Sequence, residues 1–281
     1  MFPIVCKIGP LPIIDSITIR SYGVLIALSF AIGIILAVRR GRARGVDPSR
    51  ITDLSLVILA ASVVGARVLY VIPYWEEFAA HPWSVVEVWL GGLTMYGGLL
   101  GAITASAVYM RFRRMPFWKV SDIVAPSVAL GLGITRIGCF LNGCCFGVPA
   151  ASGWGVRFPP HSAAGSEFYG VPLHPAQIYE SLVGFALFLV LLAAERVGRP
   201  PSRIAGEVGK PAARPLGGEG RLFLLLVGLY GISRFFLDRI RYYEDVSTVG
   251  IGGAVWTWNQ LLSVLLFLFS AVLFWWRGRR R

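Results

Sequence analysis

The 281-residue chain is 56% hydrophobic and 15% charged, with a mean hydropathy of +0.66. That balance excludes a soluble globular protein, and no polar stretch is long enough to fold as a separate domain. The net charge of +12 would suit a nucleic-acid binder. The basic residues, however, lie in alternate loops between apolar runs, so no nucleic acid is expected.

Residues 1–20 have no basic n-region, and Pro3, Pro10 and Pro12 interrupt their apolar run. They read as a segment lying on the outer membrane surface and not as a cleaved signal. Runs long enough to cross a bilayer follow at about 22–38, 54–72, 88–110, 119–141, 176–194, 222–240 and 254–276. Helices satisfy their own backbone in lipid. The expected fold is therefore all-α: a polytopic membrane protein with about seven transmembrane helices, residues 1–281 forming a single integral membrane domain.

Basic residues set the orientation. Arg39, Arg40, Arg42 and Arg44 follow the first run, and Arg111, Arg113 and Arg114 the third. Arg196, Arg199 and Arg203 follow the fifth, and Arg277, Arg279, Arg280 and Arg281 end the chain. This alternation predicts the N-terminus outside and the C-terminus in the cytoplasm. Residues 142–173 then form an outer, periplasmic loop, irregular and of a length that suits a lid or binding loop. Residues 195–221, rich in Pro, Gly and basic side chains, form a cytoplasmic linker loop.

Several polar residues interrupt the runs. Tyr22 opens the first, Arg67 lies in the second, and Tyr96 sits among the glycines of the third, where Gly97 and Gly101 permit close helix contact. The fourth ends in the glycine-rich stretch 131–147, with Arg136 inside it and an Asn142-Gly143 turn. A guanidinium in a span is costly, and it requires an anionic partner or a water-filled cavity. His174 and Pro175 lead into the fifth run, with Gln177, Tyr179 and Glu180 at its boundary. Tyr230, Arg234 and Asp238 follow at i, i+4 and i+8 on one face of the sixth.

With run directions fixed, Arg67, Tyr96, Arg136, Gln177, Glu180, Tyr230 and Arg234 all fall in the outer half or at its boundary. The pattern predicts a guanidinium-lined cavity open to the outer leaflet. Guanidinium forks bind phosphate oxygens, and a phospholipid is the phosphate such a cavity meets first. His81 and His161 read as loop residues. Cys6, Cys139, Cys144 and Cys145 make no disulfide framework and read as small packing residues. Two rival readings are a membrane thiol redox or metal protein using Cys139, Cys144 and Cys145, and a transporter of an anionic solute. The transporter needs a path from both faces, and the inner half reads as bare of matching polar residues.

In order along the chain stand Ile19 to Gly23, Gly65-Ala66-Arg67 through Tyr70, Tyr96 to Gly101, Arg136-Ile137-Gly138 through Asn142-Gly143 to Gly147, His174-Pro175 with Gln177, Tyr179 and Glu180, Tyr230 with Arg234 and Asp238, and Asn259-Gln260. This ordered set resembles the prolipoprotein diacylglyceryl transferase family. The resemblance implies transfer of the diacylglyceryl group of phosphatidylglycerol to the lipobox cysteine of a preprolipoprotein, releasing glycerol phosphate. It implies a bacterial inner-membrane enzyme facing the outer leaflet, with phosphatidylglycerol, the lipobox segment and membrane lipid as partners. The reaction requires no metal or other cofactor.

Arg136 and Arg234 are then expected to hold the phosphate, and Tyr22, Asn142, Gly147 and Tyr230 match positions the family uses at its site. Tyr96, where some members have histidine, is the candidate for polarising or deprotonating the thiol. Arg67, Gln177 and Glu180 complete the binding set, His174 shapes the entrance, and Asp238 orients Arg234. The family loop often carries Asn and Glu where this chain has Cys139 and Cys144, and Asp238 stands where a glutamate is expected.

Overall fold

The computed structural model describes residues 4–8, 17–151, 153–197, 218–243, 248–251 and 254–279. In chain order they form β1 (Ile4–Ile8), β2 (Ile17–Arg20), α1 (Ser21–Ala43), α2 (Pro48–Val71), α3 (Trp75–Ala80), α4 (Met95–Phe112) and α5 (Phe117–Asn142). Then come α6 (Ala163–Glu167), α7 (Ala176–Val197), α8 (Arg221–Leu237), β3 (Thr248–Ile251), β4 (Ala254–Thr257) and α9 (Trp258–Arg279). The protein is mostly helical and polytopic. By length and composition, α1, α2, α5, α7 and α9 can each cross a membrane. The shorter α4 and α8, of 18 and 17 residues, fall on the third and sixth predicted runs.

The all-α expectation needs correction. β1 pairs with β2 and β3 with β4, both antiparallel, and each pair leads directly into a long helix. Both second strands, Ile17-Thr18-Ile19-Arg20 and Ala254-Val255-Trp256-Thr257, consist mainly of β-branched or aromatic residues just before the apolar run, a composition that favours strand. The third run starts as helix only at Met95, because Gly91 and Gly92 take φ of +100° and +70° and end a 3₁₀ turn over Val88–Leu90. The sixth run ends at Leu237 and the seventh begins at Trp258, each a few residues inside its predicted bound. Most of the predicted 195–221 linker lies outside the described residues.

The chain divides into two compact units, residues 37–120 and residues 1–36 with 121–281. In the first unit α2 and α4 meet at glycines. A Cβ on Gly97 would lie 2.3 Å from the Gly65 carbonyl oxygen, and one on Gly101 2.3 Å from that of Ala61. Only bare backbones approach so closely.

The second unit uses the same device to set depth. A Cβ on Gly184 would lie 2.5 Å from the Gly133 nitrogen, and Ser181 Oγ donates to the Gly133 carbonyl at 2.8 Å. This α5–α7 contact brings Arg136, one turn beyond Gly133, level with Glu180, one turn before Gly184. Ala125, Ala129, Leu187, Leu191, Leu222 and Leu226 form the core that joins α5, α7 and α8. Gly231 packs α8 on the Ser263 carbonyl of α9.

The far end of these helices is not bare of polar residues, contrary to expectation. Asp122 and Glu195 are buried there. Asp122 accepts from the Gly220 and Phe223 nitrogens at 2.7 and 2.9 Å, satisfying donors at the start of α8. Nor is 142–173 irregular throughout. Phe146, Phe158, Ala164 and Leu173 form a small core of their own, Phe146 stacks on Tyr242 at 5.4 Å, and Ser162 caps α6.

Gly97→Val is expected to lower stability in detergent by about 1–3 kcal/mol through overpacking, measured as the thermal unfolding midpoint. Gly33→Ala, whose Cβ would meet only ordinary contacts from 3.8 Å, should stay within about 0.5 kcal/mol.

Candidate active site

One carboxylate organises the site. Glu180, in the first turn and a half of α7, is 8% exposed. Its Oε2 lies 2.5 Å from Arg136 Nε near the end of α5. Its Oε1 accepts from Arg234 Nη1 at 2.8 Å and from Arg241 Nη1 at 3.2 Å. The two helices that end here and the one that begins here thus meet on a single anion.

Asp238 forms a second anchor. It is 3% exposed, caps the end of α8 and lies 3.7 Å from Arg234 Nη2. Tyr243 joins the two: Arg234 Nη2 donates to its hydroxyl, which donates to Asp238 Oδ1 at 2.7 Å. Burial pushes the Tyr243 phenol up to about 12, so it keeps the proton that this bridge uses. Thr257, just before α9, donates to the other Asp238 oxygen.

Three arginines against two carboxylates leave the cluster one positive charge in excess. The side chains of Arg136 and Arg234 are 17% and 16% exposed, so this charge is poorly screened by water. Arg241 Nε is buried without a hydrogen-bond partner. A cavity between α5, α7 and α8 opens beside Arg136, Glu180 and Arg234, and its remaining wall includes Leu132, Val183, Leu187 and Tyr230. The arrangement suits a ligand with an anionic head and an apolar body.

The loop after α5 is held against this cluster. Asn142 ends the helix, and Gly143 turns the chain at φ +70°. Gln177, fully buried at the start of α7, donates from Nε2 to the Cys144 carbonyl at 2.7 Å. Gly147 donates to the His174 carbonyl at 3.0 Å, and a Cβ on it would lie 2.7 Å from that oxygen and from the Ile240 oxygen. His174 Nδ1 is 3.4 Å from the Tyr179 hydroxyl. Tyr22, in the first turn of α1, packs on Gly138.

Arg136, Gln177, Glu180, Tyr230, Arg234 and Asp238 therefore come together in one unit, with Tyr22, Asn142, Gly147 and His174 on the segments around them. Arg67 and Tyr96 belong to the other unit. There Arg67 is buried, and it donates to the carbonyls of Ser84, Val85, Gly91 and Gly92. It holds the segment that leads into α4 and has little hydrogen-bonding capacity left for a phosphate. Tyr96 stands in the first turn of α4, 56% exposed.

Sequence reasoning assigned no part to Arg241 or Tyr243. The available signal was a further arginine and a tyrosine within two turns of Asp238. It was easy to discount, because α8 ends at Leu237 and helical spacing no longer applies.

Glu180→Gln is expected to destabilise the protein by about 3–5 kcal/mol, because it strips a buried anion from three cations. Denaturant unfolding in detergent measures this, and a loss under about 1 kcal/mol would contradict the anchoring role.

The family model described as prolipoprotein diacylglyceryl transferase matches residues 10–276. A phosphatidylglycerol–prolipoprotein diacylglyceryl transferase of Synechococcus elongatus is 36% identical over 92% of this chain and 88% of its own length. One so named from Trichormus variabilis is 32% identical over 85% and 78%, and one from Bacillus licheniformis 30% identical over 96% and 90%. With a match across nearly its whole length, this chain belongs to the prolipoprotein diacylglyceryl transferase family.

Proposed function

We propose that this chain transfers the diacylglyceryl group of phosphatidylglycerol to the lipobox cysteine thiol of preprolipoproteins. The observation that carries the reading is the convergence of Arg136, Arg234 and Arg241 on Glu180, net positive, at the mouth of an apolar-walled cavity. Family membership and the names of the relatives support the same reaction.

In this reading the lipid phosphate lies against Arg136 and Arg234, using donors that Glu180 leaves free, and the acyl chains run along Leu132, Val183 and Leu187. The acceptor sulfur attacks the glyceryl carbon and a C–S bond forms. The C–O bond breaks, and its electron pair leaves on the phosphate oxygen of glycerol phosphate. Charge grows on that oxygen, so guanidiniums fixed in a dry site stabilise the transition state more than the ground state. Tyr22, Asn142, Gly147, His174, Gln177 and Tyr230 bound the substrate space, and Asp238 with Tyr243 holds Arg234 in position. Tyr96 is proposed to polarise the acceptor thiol. For Arg67 the proposed part is indirect, setting the backbone that carries Tyr96.

The same proposal includes the topology: seven spans in one integral membrane domain, the N-terminus outside and 195–221 in the cytoplasm. The 142–173 segment and the active site then face the outer leaflet of the bacterial inner membrane. The alternation of arginine-rich loops supports it.

Incubation with phosphatidylglycerol and a lipobox peptide should yield the diacylglyceryl thioether by mass spectrometry, and no product from a folded preparation would overturn the reading. Arg136→Ala and Arg234→Ala should each reduce the rate about a hundredfold or more. Lysine at either position should restore only part of it, lacking the planar fork. Tyr96→Phe should slow transfer at neutral pH and recover partly at higher pH, where more of a thiol of pKa about 8.5 is already thiolate. Unchanged turnover at neutral pH would remove Tyr96 from the mechanism.

A further inference from the structure

The stretch after Arg136 brings three thiols together. Cys139 lies in the last turn of α5, and Cys144 and Cys145 follow the helix end. Gly143 and Cys145 both take left-handed backbone conformations, φ +70° and +60°, and Cys145 does so without being a glycine. This doubling back sets the sulfurs of Cys139, Cys144 and Cys145 within 4.8 Å of one another. A β-carbon-bearing residue adopts that conformation at an energetic cost, so the surrounding contacts must hold it there. They do: Cys144 N donates to the Cys139 carbonyl at 3.2 Å, and Gln177 fixes the Cys144 carbonyl. The read-out of the three as unrelated packing residues does not account for this convergence.

Zinc–sulfur bonds of about 2.3 Å in a tetrahedral site put neighbouring sulfurs about 3.8 Å apart. The three thiols reach that spacing by small side-chain movements. Cys139 is buried, while Cys144 and Cys145 are partly exposed, so the open side of the triad is accessible. The setting favours the anionic thiolate complex. Arg136 Nη1 is 4.0 Å from Cys139 Sγ, which places a fixed cation beside the triad. Three protein ligands and one open position are the arrangement of a catalytic zinc site, whereas a structural site is closed by a fourth.

We propose that Cys139, Cys144 and Cys145 hold a zinc ion whose fourth position takes the acceptor cysteine thiol beside the phosphate-binding arginines. The proposal rests on the transferase reading above and deepens it by naming what generates the nucleophile. A thiol bound to zinc loses its proton to solvent. The bound sulfur then attacks the glyceryl carbon, and the C–O electron pair departs on glycerol phosphate. The neutral thioether that results is a weaker ligand than a thiolate and leaves the ion free for the next turnover. No oxidant or reductant takes part. Tyr96 keeps its proposed polarising part: a phenol is a poor base for a thiol near neutral pH, and the ion supplies the deprotonation.

Full-length protein purified without chelator should carry about one zinc per chain by elemental analysis. Cys139→Ser, Cys144→Ser and Cys145→Ser should each weaken zinc retention tenfold or more. The cobalt-substituted protein should show a sulfur-to-cobalt charge-transfer band. That band should grow when a lipobox peptide with cysteine is added and stay unchanged with the serine peptide. Stripping zinc should slow thioether formation, and zinc should restore it. The wild-type cobalt titration stands even where a serine variant fails to fold.

Absence of stoichiometric metal uptake, a disulfide among the three in the intact mass, or a metal band indifferent to the cysteine peptide would each overturn the proposal. The two readings fail separately. Full-rate transfer by zinc-stripped protein removes the zinc and leaves the transferase. A peptide-responsive metal site without thioether from phosphatidylglycerol leaves the thiol-binding zinc and removes the transferase.

Discussion

A single buried carboxylate set against three guanidiniums decides the form of this candidate active site. Glu180 is nearly sealed from solvent, and in that setting neither it nor Arg136, Arg234 and Arg241 tolerates solitude. The ends of α5 and α8 and the start of α7 are therefore tied together by charge at one level. The excess is a single positive charge, enough to draw in an anion and too little to drive the arginines apart. Asp238, through Tyr243, turns the Arg234 fork while leaving the sign of the cluster unchanged.

The depth of that cluster comes from residues with no polar chemistry. Gly133 against Gly184 fixes how far α5 slides along α7, and Arg136 and Glu180 each lie one turn from that contact. A register shift by one turn would move the guanidinium about 5.4 Å along the helix and out of reach of the carboxylate. The loop that follows is set from the other side, by the aromatic core around Phe146 and by the Gly147 backbone between the His174 and Ile240 carbonyls. A rigid frame of small and aromatic residues holds the few charged ones, so the cost of their burial is not relieved by movement.

What was legible in the sequence followed from strong constraints. Apolar runs of bilayer length and arginines within them admit few explanations, so the helices and the convergence of Arg136, Glu180 and Arg234 could be read directly. Two kinds of feature escaped. Chain direction after a helix end is invisible to periodicity, which hides Arg241 and Tyr243 and leaves the grouping of Cys139 with Cys144 and Cys145 only a rival reading. Backbone acceptors have no sequence signature, so Arg67 read as a free cation when its donors belong to the carbonyls of 84–92. The strands before α1 fall in the stretch read as a surface segment, and β4 falls inside the seventh apolar run, where hydropathy alone does not separate strand from helix.

The Glu180-centred arginines are proposed to recognise the phosphate of a lipid and not merely its chains. Native mass spectrometry of the delipidated protein, with phosphatidylglycerol and diacylglycerol of identical chains in competition, measures this without relying on turnover. A preference for phosphatidylglycerol of about tenfold or more, equivalent to roughly 1.4 kcal/mol, is expected, and it should disappear in Arg136→Ala. Equal binding of the two lipids by the wild-type protein would contradict it.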